Sequence, residues 1–280
     1  MRFILLTLMV LLTSEGFAAA QAPAASPRIL SRYALVLDEE GHVLVSKKPD
    51  SVASIASVTK LMTAMVALDA NPDLDEILTV TADDRDNLKH SFSRLPIGAQ
   101  LTRRETLMLA LSSSENRAAH ALSRYYPGGE PAFIQAMNQK AAALGMTSSR
   151  CRDPTGLNPG NISTARDLAL MVQAAAQYPL IREASTTKSM QVRPMAQRKP
   201  MQYKVTNRFL RSNNPNWTIY LSKTGFTDEA GRCLVMHAKA AGKTMTIVLL
   251  SSTGRQTPYG DSDRIRNWLA KSNQRVASVR

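Results

Sequence analysis

Two cysteines and four scattered histidines are all that 280 residues offer a soft metal ion. There is no His-Glu-x-x-His helix motif and no cysteine pair at zinc-finger spacing, so the pattern predicts neither a metal nor a cofactor. Aromatic residues are scarce as well, at 5%. The Lys and Arg are spread over the whole length rather than interleaved with aromatics, which argues against a nucleic-acid partner despite the excess of positive charge. After the first twenty residues no apolar run approaches the roughly 20 positions needed to cross a bilayer. No repeat and no Gly-, Ser- or Pro-rich linker divides the chain, and its 44% hydrophobic content suits one sizeable core. Cys151 and Cys233 could meet in an oxidising compartment, but nothing in the sequence fixes their separation. Cys233, within "CLVMHA", reads as a small buried hydrophobe.

What is present begins with an export signal. Met1-Arg2 is a short positive start, Phe3 to Leu12 is apolar, and Ala18-Ala19-Ala20 is a small-residue cleavage site before Gln21. A leader over residues 1–20 and a mature domain over 21–280 are the expectation, with a periplasmic location. Arg2 and Glu15 would leave together, so the formal charge of +13 is kept. That charge suits a polyanionic envelope polymer or lipid headgroups, and predicts loose electrostatic association with wall or membrane.

Two β-rich runs, Tyr33–Leu37 and His42–Ser46, flank the turn Asp38-Glu39-Glu40-Gly41 and read as a hairpin. Helical patterns follow. One runs from Ser57 to Leu68 with Leu61, Met65 and Leu68 on one face, and others cover Thr102–Leu111, Asn116–Tyr125, Glu130–Leu144 and Ala165–Ala176, the last with Thr164 as its cap. Residues 183–215 are polar, basic and weakly periodic. Strands return in "TIYLSKTGF", "GRCLVMHAKA" and "KTMTIVLLSST", and a helix over Asp261–Lys271 carries Ile265, Trp268 and Leu269. Strands at both ends with helices between them predict an α/β (α+β) fold, with one antiparallel sheet built from both chain ends and a helical insertion.

The chemistry lies in three short motifs. Ser57 and Lys60, in "ASVTKLM", sit one turn apart at the mouth of an apolar helix, where the positive end of the backbone dipoles favours a reacting oxygen. A second Ser-x-x-Lys, Ser185 to Lys188, has no apolar helix behind it and reads as a decoy. A neutral lysine can take the proton of a serine hydroxyl, but a free lysine has a pKa near 10.4, so the pair needs a shift of about three units. Burial beside a second cation supplies such a shift. Lys223-Thr224-Gly225 ends an extended run and offers that second cation, a hydroxyl and a glycine that lets backbone approach closely. Between them lies "SSSENRAAH", in which Ser114 and Asn116 present a hydroxyl and an amide just before a helix. Ser212 and Asn214 repeat the spacing without a helix to follow.

Together, Ser57-x-x-Lys60, Ser114-x-Asn116 and Lys223-Thr224-Gly225 resemble the signature set of the penicillin-binding proteins and serine β-lactamases. The wider wording, including "IASVTKLMTAMVALDA", "LGMTSSRCRDPTGLNPGNISTARDLALMV" and "SKTGFTDEAGRCLVM", is similar to the low-molecular-mass D-alanyl-D-alanine peptidases, above all the penicillin-binding protein 7 type of endopeptidase, from about Arg32 to Leu269. The resemblance implies a β-lactamase/transpeptidase-like fold and hydrolysis of D-alanyl bonds in peptidoglycan, with β-lactam antibiotics as covalent inhibitors. It implies Ser57 as nucleophile, Lys60 as general base and Ser114 as proton relay. Asn116, Lys223, Thr224 and Gly225 would hold substrate, and the N–H groups of Ser57 and Phe226 the oxyanion. Only 57 residues follow Lys223, which implies no further β domain or anchor of the kind larger carboxypeptidases carry. Motifs alone do not separate an endopeptidase from a carboxypeptidase, since both substrates place a carboxylate beside the scissile amide. A β-lactamase would need an acid to activate water, for which "DPTGLN" (153–158) offers only Asp153. A catalytically idle wall-binding protein is the alternative outside enzymology, and intact motifs argue against it.

Overall fold

The structure, a computed structural model, describes residues 26–195 and 199–277; the expected leader at 1–20 lies outside them. Its frame is a five-stranded antiparallel sheet in the spatial order Val43–Lys47, Tyr33–Asp38, Lys243–Ser252, Gly231–Ala240, Thr218–Thr227. The expected sheet of both chain ends is therefore present, with the N-terminal hairpin against the last strand.

Both faces of this sheet are covered, which explains why its central strands read as nearly continuous apolar runs. Ala34, Val36, Leu234, Met236, Ile247 and Leu249 pack on Ile265 and Leu269 of the C-terminal helix, Thr257–Ala277. The alternate residues Leu35, Val235 and Val248 face the helical layer. They lie in register across the sheet, Leu35 opposite Val248 and Val248 opposite Val235, and the next residue in that row is Lys223. The pleat thus drives a lysine into the core face.

The helical layer comprises Lys60–Asp69, Arg103–Ser112, Asn116–Arg124, Gly129–Ala143, Ala165–Ala175 and Pro179–Thr186. Lys60–Asp69 is its centre, buried at every position from Lys60 through Ala67, as a helix surrounded on all sides must be. Caps set the boundaries. Thr102 and Glu105 form a reciprocal capping box, and the Thr164 hydroxyl accepts from Asp167 N at 3.1 Å. One expectation needs correction. Ser57 does not open the α-helix but lies in a 3-10 turn, Ala56–Thr59, that leads into it. The weakly periodic 183–215 segment is also structured: it contributes the end of Pro179–Thr186, a small hairpin of Ser189–Val192 with Met201–Lys204, and a helical turn at Arg208–Arg211.

Candidate active site

The three motifs meet between the helical layer and the edge strand Thr218–Thr227. Lys60 Nζ lies 2.9 Å from Ser57 Oγ, 2.7 Å from Asn116 Oδ1 and 2.7 Å from the Thr155 carbonyl. Lys223 Nζ donates to Ser114 Oγ and to the Thr224 carbonyl, both at 2.8 Å. The Thr224 hydroxyl meets that of Thr206 at 2.7 Å, and the Asn116 amide nitrogen donates to Ser91 Oγ at 2.8 Å. Ser57, Ser114, Asn116, Thr224, Gly225 and Phe226 line one cleft of about 440 Å³.

Local backbone geometry makes this convergence possible. Helix Arg103–Ser112 and helix Asn116–Arg124 are joined by three residues, and Ser114 between them holds the left-handed φ of +61°. That turn sets the Ser114 hydroxyl and the Asn116 amide towards one space. Ala56, just before Ser57, also has a positive φ, +47°; non-glycine residues adopt such angles at a cost and cluster at working sites. Gly225 lets the edge strand press on the serine turn, since a Cβ there would lie 3.0 Å from Ile55 O and 3.1 Å from Ser57 N. Gly156 is tighter, with a φ of +83° and a Cβ position only 2.0 Å from Ala56 O.

The cleft is electrostatically unusual because it holds two fully buried lysines. Burial pushes the Lys60 amine down to about 8, while the carboxylates of Asp153, Glu115 and Asp86 pull it partly back. Lys223 is driven well below its ordinary value, by burial first and then by the charge of Lys60. The sequence suggested that burial beside a second cation would depress Lys60; burial is the cause here, and the cationic repulsion falls on Lys223.

Several partners were invisible in the sequence. Asp153 accepts from the N–H groups of Thr155 and Gly156, each at 2.6 Å, and of Asn158 at 2.5 Å. This carboxylate-centred loop aims the Thr155 carbonyl at Lys60. Asn161 ties it down, donating to the Thr59 hydroxyl at 3.1 Å and to the Asp153 carbonyl at 3.0 Å. The acid that a β-lactamase reading would need is consumed in holding its own loop. The decoys stay apart from the cleft: Ser185 is buried beneath the edge strand, accepting from Ser222 N at 3.4 Å, whereas exposed Lys188 reaches Asn213. Cys151 and Cys233 are both free and buried, their thiols pushed up to about 12 and about 11 by desolvation.

Comparison with known proteins gives this geometry relatives. The family described as D-alanyl-D-alanine carboxypeptidase, peptidase family S11, matches residues 19–254. A D-alanyl-D-alanine endopeptidase of Pseudomonas aeruginosa is 44% identical over 278 residues, covering 96% of this chain and 89% of that protein. A D-alanyl-D-alanine endopeptidase of Escherichia coli is 43% identical over 252 residues, 90% of this chain and 81% of that one. The crystal structure of a Streptomyces DD-transpeptidase superposes with a TM-score of 0.80 at 29% identity, over 87% of this chain and 98% of the other. The paired lysines, the serine on its tight turn and this kinship agree: the chain belongs to the D-alanyl-D-alanine carboxypeptidase family of serine peptidases.

Proposed function

We propose that the protein is a D-alanyl-D-alanine endopeptidase of peptidoglycan, cutting cross-links through an acyl-enzyme on Ser57, and that it works in the periplasm after loss of residues 1–20. The observation that carries the chemistry is the hydrogen-bond geometry at Lys60. A neutral amine has two N–H bonds and one lone pair. The Thr155 carbonyl, 2.7 Å away, can only accept, and Asn116 Oδ1, also at 2.7 Å, accepts while its amide nitrogen is given to Ser91. Both N–H bonds are thereby committed, and the lone pair is left for the Ser57 hydroxyl at 2.9 Å. Deprotonated Lys60 is a general base with one direction to face.

In this reading the Ser57 proton passes to Lys60 as Oγ attacks the D-Ala carbonyl carbon. The N–H groups of Ser57 and Phe226 hold the oxyanion, a contribution typically worth about 3–4 kcal/mol. Ser114 hands a proton to the departing amine and takes its replacement from the Lys60 ammonium, which restores the neutral amine; water then releases the acyl group with Lys60 again as base, and that proton returns to Ser57 Oγ. Lys223 and Thr224 receive the carboxylate beside the scissile bond, while Arg208, Arg211, Arg232 and Arg255 along the cleft supply further positive field. A carboxylate docking on Lys223 favours charge there. The carboxylate offsets that charge, so Lys60 still owes its lowered pKa to burial.

Incubation with isolated cross-linked cell wall, followed by fragment analysis, tests the assignment. Release of uncross-linked stems is the expected result; release of D-Ala alone would make the protein a carboxypeptidase. Penicillin should form a long-lived adduct on Ser57, and rapid turnover would instead indicate a β-lactamase.

A further inference from the structure

A second groove, of about 350 Å³, opens off the cleft at Ser114 and Asn116 and touches neither Ser57, Thr224 nor Phe226. Its walls are Phe92, Arg94, Gln202, Tyr203 and Lys204. Phe92, 88% exposed, is the most exposed large apolar side chain among the described residues. The Arg94 guanidinium lies 4.9 Å from the centre of the buried Tyr203 ring and donates to the Gln202 carbonyl at 2.9 Å, which braces it at the groove wall. The one acid in the lining, Glu115, is buried and already accepts from Ser93 Oγ and, at 3.3 Å, from Arg117 N. The net character is cationic with an aromatic rim.

We infer that this groove is the subsite for the leaving arm of a cross-link, and hence a determinant of endopeptidase over carboxypeptidase action; the inference rests on the function proposed above. The groove starts at the residue that passes a proton to the leaving amine, so what departs from that amine is what can enter it. A terminal D-Ala has only a methyl group at that position. The D-centre of a cross-linking diamino acid carries a chain there, leading to a second stem with free carboxylates. Arg94 and Lys204 match those carboxylates, and Phe92 covers the aliphatic chain. A substrate without the arm leaves the groove empty and gains nothing from it.

The test is the double variant Phe92→Ala/Arg94→Ala, with Lys204→Ala alongside. Three rates are compared: cleavage of a cross-linked stem dimer, release of D-Ala from a stem ending in D-Ala-D-Ala, and acylation by benzylpenicillin. The double variant should lose about tenfold or more in kcat/KM on the dimer, mostly through KM, with the other two rates within about twofold. An equal fall in all three would show that the segment supports the reacting groups instead, and an unchanged dimer rate would place the arm elsewhere; either overturns the inference. Dimer binding in a Ser57→Ala background separates this from the parent reading. There the groove variants should weaken binding about tenfold whether or not the wild type turns out to cut cross-links.

Discussion

Lys60 and Lys223 are buried in the same cleft, yet the protein treats them differently. Lys60 faces three oxygen partners, and three carboxylates in its surroundings offset part of its desolvation. Lys223 has two oxygen partners and a like charge as its principal electrostatic neighbour. The first belongs to a helix start clamped by the 153–158 loop; the second ends an apolar row of the sheet. On the function proposed, the first would serve as base and the second would receive an anion. A site that must both generate a nucleophile and recognise a carboxylate would then divide those tasks between two amines by the choice of their neighbours.

The sharpest way to break the comparison is Lys60→Ala, which should cut acylation by penicillin by about 10³-fold or more, since a positioned base and its nucleophile act as a unit. Lys223→Ala should cost about 10²-fold, and on a substrate whose carboxylate is amidated the same variant should lose much less. Equal losses on both substrates would remove the division of labour. The pH profile comes next. With Lys60 at about 8, the second-order rate of acylation should climb close to tenfold per pH unit below that value and level off above it. Gly225→Ala forces the edge strand from the serine turn, and a drop of about tenfold in acylation is expected, with a smaller loss of thermal stability.

The smallest effect concerns stability. An amine held at about 8 in the folded protein, below the ordinary 10.5, takes up a proton on unfolding between about pH 8 and pH 10.5 and is charged in both states below that window. Its presence therefore costs stability in full below pH 8, and the cost fades as pH rises from 8 towards 10.5. Urea titrations at pH 7 and pH 10 should show the wild type gaining on Lys60→Met by about 2 kcal/mol between the two. A flat difference would mean that Lys60 keeps its proton throughout.

The convergence of this site was legible because the groups proposed to react are side chains whose type and spacing stand out: Ser57 with Lys60, Ser114 with Asn116, and Lys223 through Gly225. What could not be read is what holds them. Thr155 acts through its carbonyl, which every residue possesses, and Ser91 and Thr206 are single hydroxyls in segments without periodicity. The hairpin at 189–204 escaped notice because its four-residue strands bury one residue each, Val192 and Tyr203, too few to show an alternation. The closing helix runs from Thr257 to Ala277, although apolar spacing outlined only 261–271. Its start is hidden in the sequence by Pro258, which is harmless in a first helical turn where no N–H partner is required.

The order in which the sheet is assembled has a consequence for when the enzyme becomes active. Tyr33 pairs with Leu250, so the second strand in space must wait for a partner 217 residues further along the chain. Asp261, later still, anchors the start of the first strand by accepting from Leu30 N at 2.8 Å and from Ser31 N at 2.7 Å. A polypeptide threaded through a translocation channel with its amino end leading therefore has no finished scaffold until almost all of it has crossed. Lys223 arrives with that late material, and until it does Ser114 lacks its amine partner. If the chain is exported as proposed, the pairings that complete the sheet would also complete the site, and would do so only after nearly all of the chain has crossed.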